Sequence, residues 1–175
     1  MACNITLSEQ NLDCRDSMGG IVEVYVLADR SDITAIGQTS SSTGMISGFT
    51  LANEASFVTY KLRKNTGSLT NTYNISEENG TTFVRSELTL VFHKMDTAKR
   101  LEISALAIGN MAMIVKDANG KYWFLGKDEP VTMASGTSQT GVAKGDKNGY
   151  DVVLACEGKQ EPWEVTAAAM AAVLA

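Results

Sequence analysis

A chain of 175 residues with 44% hydrophobic and 20% charged residues can build one core without a metal or a disulfide. It is too apolar for a disordered polymer and lacks the repeat of a collagen-like one. With 15 basic against 20 acidic residues its net charge is −5, so its surface as a whole repels phosphate, which disfavours tight nucleic-acid binding.

Residues 1–20 lack a clear hydrophobic period and close on Met18-Gly19-Gly20, which reads as an N-terminal arm leading into the first strand. No basic cluster followed by an apolar stretch marks a secretory signal, so the Asn-X-Ser/Thr triplets at Asn4, Asn74 and Asn79 read as incidental. Cys3, Cys14 and Cys156 cannot all pair within one chain and are expected as thiols. Ile21 to Leu27 is nearly continuous in apolar residues and predicts a strand covered on both faces, followed by a short strand near Ile33 to Ile36. The Ser/Thr run from Gln38 to Gly44 reads as a loop, too short to be a domain linker.

From Ser56 to about Lys94 the pattern predicts one extended β-hairpin turning at Asn79-Gly80, a pair that supplies the positive φ angles such a turn needs. On its return strand one face becomes strictly apolar only beyond Leu88. The tip half is therefore too polar to bury in the subunit's own core and is expected to project. Residues Thr70 to Arg85 should then contribute little to that core. Asp96 can cap a helix beginning at Thr97, with Leu101, Ala105 and Ile108 recurring at helical spacing beside Leu106, and Gly109-Asn110 ending it. A second hairpin runs from Met111 through the turn Asp117-Ala118-Asn119-Gly120 to Gly126. A strand near Pro130 to Ala134, a glycine-rich loop from Gly136 to Gly149, and a strand from Tyr150 to Cys156 complete the body. Trp163 is expected against that body, and the Ala-rich tail from Thr166 to Ala175 as a short helix. The domain reading is a 1–20 arm, a single β-sandwich over 21–165 and a 166–175 tail. The ten-residue tail is too short to cross a bilayer, and no membrane span is expected.

Chemistry is thin. One histidine, His93, stands at a strand end without a recognisable nucleophile and orienting group, and reads as a strand-end or interface residue. Gly136 to Lys144 superficially resembles a phosphate loop, but Val142 and Ala143 separate the second glycine from the lysine. Asp117-Ala118-Asn119-Gly120 and Asp146-Lys147-Asn148-Gly149 resemble fragments of calcium loops without the later oxygens and terminal Glu, and read as turns. Glu77-Glu78 sits at a hairpin tip that offers no pocket for acid/base work. Tyr122-Trp123-Phe124 reads as core or subunit contact rather than as a base-stacking platform in so acidic a chain. No catalytic residue, cofactor or metal is assigned, and no enzyme is expected.

The order of elements carries more. An arm, a few strands, a long hairpin over about 56–94, a helix opened by Met95-Asp96-Thr97-Ala98-Lys99-Arg100-Leu101 and the run from Asp117 to Asp128 together resemble bacteriophage tail tube (major tail) proteins, in particular those of phages infecting gut Bacteroidales. The similarity in wording covers roughly 60–165. It implies a virion structural protein, mainly β, an antiparallel β-sandwich or barrel with one flanking helix. Copies would join strands in a homo-oligomeric ring, usually a hexamer, and rings would stack into a tube that other tail proteins complete and through which DNA passes without specific binding. Candidate lumen or inter-ring contacts are Thr72, Asn74, Glu77, Glu78, Thr82 and Ser86. A head-tail connector ring, a tail terminator, a capsid decoration protein and a secretion-system tube protein are the alternatives the same resemblance leaves open.

Overall fold

The computed structural model describes residues 9–10, 15–39, 44–52 and 54–174; Asn4, Cys3, Cys14 and most of the expected arm lie outside them. The elements in order are β1 (Ile21–Leu27), β2 (Ile33–Gln38), β3 (Met45–Leu51), β4 (Val58–Lys61), β5 (Gly67–Ser76), β6 (Thr81–His93), α1 (Thr97–Ile108), β7 (Ala112–Asp117), β8 (Tyr122–Leu125), β9 (Thr132–Gln139), β10 (Gly149–Gly158), β11 (Trp163–Val165) and α2 (Ala167–Val173). Seven strands form one sheet in the order β2-β3-β11-β8-β7-β1-β4, and four form a second in the order β5-β6-β10-β9. The architecture is a mainly β sandwich with a flanking helix, and no barrel closes.

Alternation along β1 explains the layering. Val24 and Val26 point between the sheets, where they meet Leu88 and Leu90 of β6, Met113 and Val115 of β7, and Val152 and Leu154 of β10. Tyr25 and Leu27 point the other way, into a second cluster with Ile46, Ile114, Phe124, Val165, Ala169 and Met170. The large sheet is thus buried on both faces along its central strands, as the apolar run of β1 predicts. Thr166 caps α2 by accepting from the Ala169 amide at 3.2 Å, and Ala169 and Met170 seal the second cluster against β3, so the Ala-rich tail belongs to the packed body.

The predicted hairpin is shorter than its sequence suggests. Val58 to Lys61 leaves it to pair with β1 (Val26 opposite Val58), and the ribbon proper is β5–β6, from Gly67 opposite Leu90 to Ser76 opposite Thr81. The break falls where Asn65 takes a φ of 61° and the chain comes close enough that a β-carbon on Gly67 would lie 2.8 Å from Leu62 Cδ1. Within Thr70 to Arg85 only Val84, at 1% exposure, is a buried apolar side chain, so the core lies mostly outside that stretch.

Three further readings are corrected. Strand β3 is additional; Gly48 and the preceding Ser/Thr run hide it. The segment read as a loop from Gly136 to Gly149 begins as strand, because β9 continues to Gln139 under the register imposed by β10; residues 140–148 form the loop. Helix α1 occupies its predicted span and is capped by Asp96, which accepts from the Lys99 amide at 2.8 Å. Its buried face, however, is Ile103 and Leu106; Leu101 and Ile108 are 58% and 87% exposed. The helix lies along the side of the sandwich and meets it over a narrow strip, wide enough for one i, i+3 pair and not for the full apolar stripe.

Candidate assembly interface

The four-stranded sheet has two unlike faces. Its inner face is core: Val84, Ser86, Leu88 and Leu90 on β6, and Tyr150, Val152 and Leu154 on β10. Strand period and register put Ser68, Thr70, Thr72 and Asn74 of β5, Arg85, Glu87 and Thr89 of β6, Asp151, Val153 and Glu157 of β10, and Ser135, Thr137 and Gln139 of β9 on the other face. Most of that surface is hydroxyl or amide. Arg85 is held there by Glu87 at 2.9 Å and Glu157 at 3.3 Å, and its two carboxylates reinforce the guanidinium's charge.

Among the described residues both edges of this sheet are unpaired. β5 pairs only with β6 and β9 only with β10, and every pairing in the sheet is antiparallel, so the two edge strands run in opposite directions. Seven of the eight β9 residues are exposed. An exposed edge is a template for another chain's strand, and these edges carry neither proline nor an inward charge to block pairing.

The ribbon also outruns its support. The last rung between β10 and β6 is Gly158 opposite Val84, so Asn74–Ser76 and Thr81–Phe83 pair only with each other. That two-stranded tip exposes Ile75 and Phe83 and ends at Glu77 and Glu78, while Tyr73, one rung below it, is exposed with its hydroxyl donating to Glu161. The sequence candidates therefore fall in three places. Thr72 and Asn74 lie on the polar outer face, where the Asn74 side-chain amide donates to the Thr72 carbonyl at 3.3 Å. Glu77, Glu78 and Thr82 are exposed on the tip. Ser86 is set apart from the rest: at 3% exposure it shares the inward parity of Val84 and Leu88 and presents nothing to a lumen or a neighbouring ring. β9, the second edge, is absent from the sequence candidates; the alternation Ser135, Thr137, Gln139 is its only signal, and Gly136 obscures it.

The remaining motifs resolve into local structure. Asp146 accepts from the amides of Val142 and Ala143 at 2.8 and 2.7 Å, which occupies the donors that a phosphate loop would offer and holds this carboxyl below its usual range. Asp117 accepts from the amides of Asn119 and Lys121 and from Trp123 Nε1, a turn closed by its own side chain. Phe124 is fully buried, with its ring 5.0 Å from that of Phe49. His93 sits on the first rung of β6 with β10, opposite Gly149. Cys156 is largely buried, which pushes its thiol above the usual range and away from the thiolate a nucleophile needs. Among the described residues no three His, Cys, Asp or Glu side chains converge as a metal site, and no helix is long and apolar enough to cross a membrane.

No family model matches the chain, and no curated protein or solved structure shows significant similarity to it.

Proposed function

We propose that this chain is a tail tube subunit of a bacteriophage virion, which joins copies of itself into stacked rings that conduct the genome. The observation that carries the reading is the four-stranded sheet with opposed open edges and a polar outer face. Because β5 and β9 run in opposite directions, β5 of one copy can pair with β9 of the next and continue the antiparallel alternation without interruption around a closed ring. Six copies would contribute about two dozen strands. At about 4.8 Å between strands and the usual tilt, the backbone circle is roughly 45 to 50 Å across, which leaves room for side chains and duplex DNA.

The face that would line this bore suits a conduit. DNA slides only where phosphates find no free cation, and the one arginine on that face is held between two carboxylates among neutral hydroxyl and amide groups. The resemblance in element order supports the tube in particular over a generic ring. Electron microscopy of the purified chain at high concentration tests the reading. Open stacked tubes are expected; isolated rings would favour a connector or terminator, and monodisperse monomers would contradict ring formation.

A further inference from the structure

The two ends of the β5–β6 ribbon differ in charge and in shape. At the tip, Glu77 and Glu78 are exposed and form no ion pair among the described residues, and they sit near the uncovered side chains of Ile75 and Phe83. The base carries the opposite charge. Over 60–66 and 91–106 the charged residues are Lys61, Arg63, Lys64, Lys94, Lys99 and Arg100 against Asp96 and Glu102.

A groove opens at that base between α1 and the edge strand β4. It has a volume of about 200 Å³ and a carbon-rich floor of Tyr60, Phe92, Ile103 and Leu106, with Lys61, Lys99 and Glu102 on its rim, the Glu102 carboxylate being taken up by the Tyr60 hydroxyl that donates to it. A smaller cavity of about 110 Å³ shares Tyr60 and Leu106 and extends the groove toward Val58, itself 53% exposed. Lys94 adjoins the rim, because its carbonyl accepts from Lys99 Nζ at 3.1 Å. Lys61 and Lys94 are exposed and enter no ion pair among the described residues. Phe83 and Phe92 stand nine residues apart on one strand, about 30 Å at 3.3 Å per residue, so the tip cannot reach the groove of its own subunit.

From the charge complementarity and the pairing of a convex with a concave apolar surface, we infer that the occupant of the α1–β4 groove is the β5–β6 tip of a second copy. Ile75 enters the carbon-lined floor, while Glu77 and Glu78 face Lys61 and Lys94. Since the two patches differ and lie at opposite ends of one ribbon, the contact is heterologous. Repeated, it stacks copies head to tail along the strand direction instead of closing a dimer. This deepens the tube reading by naming the contact between rings, and it uses surfaces distinct from the β5 and β9 edges proposed to close each ring.

Charge reversal tests it. Glu77→Lys with Glu78→Lys reverses the tip, and Lys61→Glu with Lys94→Glu reverses the groove; electron microscopy and sedimentation velocity follow rings and stacks separately. Each double variant alone is expected to lose stacking while keeping rings. An equimolar mixture is expected to regain stacks, because each tip then finds an opposite rim in the other variant, which also demonstrates that both variants are folded. Stacking by either variant alone at the wild-type level, or a mixture that stays unstacked, would overturn the inference and leave the groove to another virion protein. Rings without stacks in the wild type would overturn this contact and spare ring closure; monomers alone would overturn both.

Discussion

The two sheets of this sandwich are built on opposite terms. The seven-stranded sheet packs one face against the small sheet and buries the other in a cluster that includes Ala169 and Met170 of α2, and its central strands are apolar at nearly every position. The four-stranded sheet gives one face to the core and leaves the other polar, with both edges open and its longest ribbon extended past its neighbours. The large sheet accounts for why the chain folds. The outer half of the small sheet contributes little to the fold of one subunit, and that is the reason to read it as the surface the protein uses.

Substitutions on the two sides should separate by size of effect. Phe124→Ala removes a fully buried ring from the second core and is expected to destabilise by about 3 to 5 kcal/mol, whereas Thr137→Ala on the exposed β9 edge should stay within about 0.5 kcal/mol by urea unfolding. A comparable loss at both positions would break the comparison. The outer face can be tested for its chemistry without touching the core. Glu87→Lys with Glu157→Lys frees Arg85 and adds two cations, and assembled protein should then retain duplex DNA at low salt in a filter assay where the wild type retains none. The smallest expected effect is on pH dependence. The Lys99 ammonium and amide hold the Asp96 carboxyl below its usual range, the Val142 and Ala143 amides do the same for Asp146, and the Tyr25 hydroxyl does so for Glu23. A carboxyl depressed on folding stabilises above its unfolded pKa of about 4 and loses that contribution as pH falls through its folded value. The melting temperature should therefore be flat from pH 7 to 5 and drop below about pH 4. Asp96→Ala, which removes the α1 cap, should lower the melting temperature at pH 7 and blunt the drop.

The fold was largely legible in the sequence because its strongest signals are local. The apolar run of β1, the Asn79-Gly80 and Asn119-Gly120 turns and the Asp96 cap each mark an element that the structure contains. What escaped was decided by partners distant in the chain. Nothing near Val58 to Lys61 says that this segment pairs with β1 and not with the ribbon, and nothing within Thr132 to Gln139 matches the strength of the template that β10 provides. The rotation of α1 follows from the narrow strip of sandwich it meets, a property of its neighbours and not of its own period. The candidate surface was half legible. Polarity on both faces of the tip marks Glu77, Glu78 and Thr82 as projecting, but Ser86 is buried because the face it shares with Val84 and Leu88 meets Leu125 and its neighbours in the large sheet, residues distant in the chain.

Amide hydrogen exchange on β5 and β9, compared between dilute and assembled protein, tests most directly that copies complete one another's small sheets. The outward-facing amides of both edges should exchange quickly when dilute and become protected together on assembly, while those of β7 are protected throughout. Edges that exchange equally fast in the assembled state would contradict the account.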